Sequence, residues 1–142
     1  MRLIHQLKRL LRLDARPSAS PRPAFTQPVP QVTPFDVERI VRRDFSPAEY
    51  DTVMAMLGEY GTEEWHAGPT RVQIATLKMA DGSVQKLREC IEVAKRDYRD
   101  ALGAAEYPAY CKILLRVRDL PDEEKNRIFD SDWRQYQEWL KR

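Results

Sequence analysis

Histidine and cysteine are scarce in this chain, at two residues each, and that scarcity removes most metal chemistry at the outset. A metal centre takes several ligands at matched spacing, and His5, His66, Cys90 and Cys111 offer no close pair. The run Glu63-Glu64-Trp65-His66 contains Glu-x-x-His, half of a di-iron carboxylate signature, but a second copy is missing. No metal and no cofactor is therefore expected, and His66 reads as a surface or partly packed side chain in a loop before Gly68-Pro69. Two cysteines also fall short of a disulfide framework. Both lie in apolar helical stripes, where burial raises a thiol's pKa and makes it inert, so they read as reduced packing residues in a cytoplasmic protein. Glycine is thin as well: the five present are isolated, which leaves no Gly-rich loop to cradle a phosphate. Nor does any apolar run approach the roughly 18 residues of a membrane-spanning helix.

Proline, by contrast, is concentrated. Six of the ten prolines fall between Pro17 and Pro34, with few large apolar residues among them. Such a stretch forms neither helix nor central strand, and it reads as a semi-extended linker over residues 16–33, reaching up to ~50 Å at about 3.1 Å per residue. Charge is divided at the same place. Six of the 24 basic side chains but one of the 22 acidic ones lie before residue 35, leaving 18 against 21 beyond it. A basic arm is thus joined to a mildly acidic body, and an arm of that sign calls for an anionic or acidic partner.

Beyond the prolines the chain is punctuated for helices. Thr33-Pro34 with Asp36, and Ser46-Pro47 with Glu49, are helix starts, and Gly61 is a stop. "PTRVQIATLKMADG" mixes alternation with helical spacing and is read as helix. From Val84 the apolar positions Leu87, Cys90, Ile91, Ala94, Tyr98, Ala101, Leu102 and Ala105 predict one helix of about six turns. Arg88, Glu92, Arg96 and Asp100, four apart, predict a solvated charge ladder on its outer face. "AYCKILLRVRDL" and a last helix from Pro121 to Arg142 follow. The fold class expected is all-α: a compact bundle of five to six helices over about residues 34–142, since each apolar stripe has only another helix to cover it.

Residues 1–15 form a separate device. On a helical wheel Leu3, Ile4, Leu7, Leu10 and Leu11 span about 120°, opposite Arg2, Lys8, Arg9 and Arg12. The basic residues break the continuous apolar region of a secretory signal. A mitochondrial presequence within residues 1–24 fits if the source is eukaryotic. A helix of about 13 residues is marginal alone in water, so it should fold on a partner. Phosphate contact would not require five large aliphatics on one arc, which ranks nucleic acid below an apolar groove on another protein or an anionic membrane surface. Packing back on its own bundle, or on a second copy, is the alternative.

No catalytic residue is expected. In "KRDYRDALGAAEYPAY" the carboxylates Asp97, Asp100 and Glu106 surround Tyr98, Tyr107 and Tyr110, but acid–base work would need burial that shifts their pKa values. Outward-pointing Asp97 and Asp100, with tyrosines at the rim, fit the pattern better. Tyr107, Tyr110, Trp133 and Trp139 are candidate interface residues, because aromatic side chains concentrate binding energy. The sequence thus points to a small non-enzymatic adaptor with a tethered docking helix, or else a peripheral membrane protein held by that helix.

Overall fold

The computed structural model describes residues 28–142. The arm of residues 1–15 and residues 16–27 of the linker lie outside the described residues. Helices α1 (Pro34–Asp44), α2 (Tyr50–Leu57), α3 (Pro69–Ala80), α4 (Val84–Arg96), α5 (Tyr98–Glu106), α6 (Pro108–Lys112) and α7 (Asp122–Lys141) follow in order. Short 3-10 turns at Pro47–Glu49 and Val117–Asp119 precede α2 and α7. The described residues are all-helical, without strands.

The start of α1 follows the local chemistry read from the sequence. The Thr33 backbone N–H donates to the Asp36 carboxylate at 2.8 Å, and this bond holds that carboxyl below its usual range. Val37, Ile40 and Val41 form its buried face. The Ser46 backbone N–H donates to Glu49 in the same way, at 2.9 Å. Before α1, Pro30 is buried, Val32 packs against the core and the Tyr107 hydroxyl donates to the Pro28 carbonyl at 3.1 Å. The last residues of the proline-rich stretch are therefore attached to the body.

Helix α3 is the central element, packed against α1, α4 and α5. Val72, Ile74, Ala75, Thr76, Leu77 and Ala80 are all buried along it. A helix covered on most of its sides shows no single stripe, which is why its sequence resembled alternation in part.

Among the described residues seven helices stand where five to six were expected, because the predicted six-turn helix is two. Asp97 is extended (φ −154°, ψ 102°), its N–H closing α4 on the Val93 carbonyl at 2.9 Å. Its carboxylate opens α5 by accepting from the Arg99 N–H at 3.1 Å, and the Arg99 guanidinium holds it at 2.9 and 3.1 Å. The three-and-four spacing runs through the break unchanged, so periodicity could not show it; the capping aspartate could. The ladder is revised with it. Arg88 pairs with Glu59 just beyond α2, and Lys95 bridges Glu59 and Glu92 at 3.6 and 3.0 Å.

Helix α7 returns to α1. A helix leaves its last carbonyls unpaired; here Arg39 donates to the Leu140 carbonyl at 2.5 Å and Arg43 to that of Trp139 at 2.8 Å. Arg43 also lies 4.9 Å from the Trp139 ring centroid and chelates Asp44. Two cations of the first helix thereby close the end of the last.

Candidate interaction surface

The carboxylates buried in the body are engaged with a cation or with a helix end. Glu106, 1% exposed, receives Arg71 of α3 through two parallel bonds of 2.8 and 2.7 Å. That carboxylate in turn holds the Arg71 guanidinium above its ordinary pKa. Asp132 of α7 accepts from the backbone N–H groups of Ala109 and Tyr110 at 3.1 and 2.9 Å, capping α6 from outside its own sequence. The Lys78 ammonium donates to the Ala105 carbonyl at 2.8 Å at the end of α5, and burial pushes its pKa down. Next to this group the Tyr136 hydroxyl is buried without a hydrogen-bond partner among the described residues, and burial raises its pKa.

His66 is 7% exposed, a buried ring rather than a surface one. Its Nδ1 accepts from the N–H groups of Gly61 and Glu63 at 2.9 and 3.3 Å, while its Nε2 is buried without a hydrogen-bond partner among the described residues. The ring stacks on Tyr60 at 4.4 Å and meets Trp65 edge-on at 4.1 Å. The Tyr60 hydroxyl donates to the Ala67 carbonyl at 2.9 Å, so one aromatic set folds the loop over residues 58–68. Burial pushes the Tyr60 phenol from 10.0 to about 12. A raised folded pKa gives stability that is whole below the unfolded value near 10 and is lost as pH rises through about 12. Tyr60→Phe should therefore flatten the alkaline decline in stability over that interval, read by urea unfolding at a series of pH values. An unchanged slope would assign the decline to other groups.

Both cysteines are half-buried and free, and burial raises each thiol. Asp100 is half-buried rather than outward, and desolvation raises its carboxyl, with the nearby charge of Asp97 adding to the effect. Among the described residues no three His, Cys, Asp or Glu side chains gather as metal ligands. A concave feature of about 550 Å³ is lined by Glu123, Asn126, Arg127, Asp130, Ser131 and Arg134, all on one face of α7, and is an open shelf.

The structure separates the residues read as an interface. Tyr107 and Trp139 are buried, the first edge-on to Phe129 and tied to Pro28, the second beneath Arg43 and stacked near Tyr136. They are core residues and present no free surface. Tyr110 is half-buried against Phe129, with ring centroids 3.9 Å apart, and Trp133 is half-buried on α7. Leu3, Ile4, Leu7, Leu10, Leu11, Arg2, Lys8, Arg9 and Arg12 lie outside the described residues. The large apolar side chains that stand in solvent are others: Phe35 at 81%, Leu115 at 66%, Trp65 at 54% and Val29 at 51%. The sequence held a signal for two of them. Phe35 is off the Val37, Ile40, Val41 face, and in "KILLRVRD" three consecutive aliphatics follow a five-residue helix, in a turn that buries Leu114 and leaves Leu115 in solvent.

Comparison with known proteins adds no relative: no protein-family model, curated protein or solved structure matches this chain.

Proposed function

We propose that the protein is a small non-enzymatic helical adaptor, with an N-terminal arm that docks and a helical body that the arm holds in place. One observation carries this reading. Glu106, Asp132 and the Nδ1 of His66, the buried groups best suited to chemistry, are engaged in holding helices and a loop, while Phe35, Trp65 and Leu115 face solvent. Exposed aromatic and aliphatic side chains favour contact with a partner over catalysis. Among the described residues no helix is long and apolar enough to cross a membrane, so attachment on this reading falls to surfaces and to the arm.

The test compares the full chain, its Leu7→Glu variant and residues 28–142 as bait in lysate of the source cells. The shortened chain begins at Pro28 because Pro30, Val32 and the Thr33 cap belong to the body. We expect the full chain to capture a partner that Leu7→Glu and residues 28–142 both lose. If residues 28–142 keep every partner, the arm is no docking device and the reading fails.

A further inference from the structure

Helix α7 runs for 20 residues, and one side of it is committed to the body through Phe129, Asp132, Tyr136, Trp139 and Leu140. At about 100° per residue, the opposite side carries a single row of charge. Glu123, Arg127, Asp130 and Arg134 form this row, all exposed along the open shelf. Glu123 with Arg127, and Asp130 with Arg134, stand four apart, the spacing at which a solvated helix pairs its own charges. The structure leaves these pairs unmade: among the described residues the ion pair along α7 joins Lys125 to Asp122, at 3.8 Å. Two carboxylates and two guanidiniums therefore face outward in alternation.

Their order of sign selects an occupant. Intervals of four, three and four are those of a seam between packed helices, and in an antiparallel pair the seam of one helix meets the reverse of the other. Laid in that sense against a second copy, Glu123 meets Arg134 of the other chain and Arg127 meets its Asp130, and the two-fold axis repeats both contacts. Every charge of the row then has an opposite. A parallel copy would set each residue against itself, like sign on like. Trp133 lies at the margin of the row and is half-buried, so pairing covers more of a side chain of the kind that anchors interfaces. A polyanion would meet Glu123 and Asp130 as well as the arginines, and an apolar groove would strip water from all four charges.

We infer that the body pairs with a second copy of itself through antiparallel contact of α7, along the row from Glu123 to Arg134. Exposed ion pairs are individually weak, so the contact is reversible, driven by concentration and loosened by salt. It goes beyond the adaptor reading and does not depend on what the arm grips. A paired body presents each docking element twice, and two weak attachments then act as one.

The test is sedimentation equilibrium of the full chain at low salt over a wide concentration range, with the variants Glu123→Arg and Arg134→Glu measured alone and mixed. Wild type should self-associate, and each variant alone should do so about tenfold more weakly, because two of its symmetric contacts become repulsive. The equimolar mixture should recover wild-type association, since Arg134→Glu in one chain then faces Glu123→Arg in the other, and the unchanged residues match as well. Both positions are exposed, and circular dichroism matching wild type confirms folding. A wild type that stays monomeric throughout overturns the inference. Variants that associate as wild type does overturn it in favour of another surface. Variants that lose association separately but do not regain it when mixed overturn the antiparallel pairing of Glu123 with Arg134.

Discussion

Arg71→Leu is expected to destabilise the protein by about 3–5 kcal/mol, and the double variant Arg71→Leu/Glu106→Leu to recover most of that loss. The reason is burial: the Glu106 side chain is 0% exposed and that of Arg71 27%, so Arg71 supplies a charge that solvent does not replace. Removing it leaves a carboxylate among Ala105, Tyr107 and the unpartnered Tyr136 hydroxyl. Removing both charges replaces an ion pair with apolar contact, which buried sites often tolerate. Urea unfolding of the two variants and wild type gives the comparison. A double variant as unstable as the single one would mean that the pair positions α3 against α5 through its geometry, beyond neutralising Glu106.

Gly82→Ala is expected to cost about 2–4 kcal/mol, the sum of a left-handed backbone and an overfilled space. Gly82 has φ +76°, and a Cβ there would stand 2.8 Å from the Asp44 carbonyl oxygen. That oxygen belongs to backbone and cannot rotate away. Asp44 is moreover chelated by Arg43, which closes the end of α7, so any shift is transmitted to Trp139. Asp81 next to it is also left-handed, at φ 49°. Asp81→Gly should be tolerated, since glycine adopts that conformation freely and adds no atom. The two midpoints in one urea series separate steric from conformational cost, and a Gly82→Ala midpoint equal to wild type would show that the α1 end yields.

The helical class and most helix starts were legible in the sequence because they are local. Thr33 with Asp36 and Ser46 with Glu49 act within a few residues, and the structure uses these capping pairs as bonds, whereas α2 ends at Leu57 with Gly58 as its cap, before the Gly61 read as its stop. What was not legible is what distant residues do to one another. The break at Asp97 left the apolar period intact, so a stripe from Leu87 to Ala105 read as one helix. Tyr107 and Trp139 carried the composition of an interface and are buried by Pro28, Phe129 and Arg43, from segments far away in the chain. Glu106 looked like one more carboxylate of a polar cluster until Arg71, 35 residues earlier, reached it. His66 likewise became a buried acceptor through a loop closed by Tyr60 and Ala67. Of the surface, Leu115 was foreshadowed by the run of three aliphatics that follows a short helix.

The clasp between Arg39, Arg43 and the carbonyls of Leu140 and Trp139 joins residues 101 and 96 positions apart. On a ribosome, α1 emerges with its apolar face of Val37, Ile40 and Val41 uncovered, and Trp139 and Leu140, which complete its cover, are made long after it. A nascent chain that has not yet reached Trp139 therefore carries that face partly open.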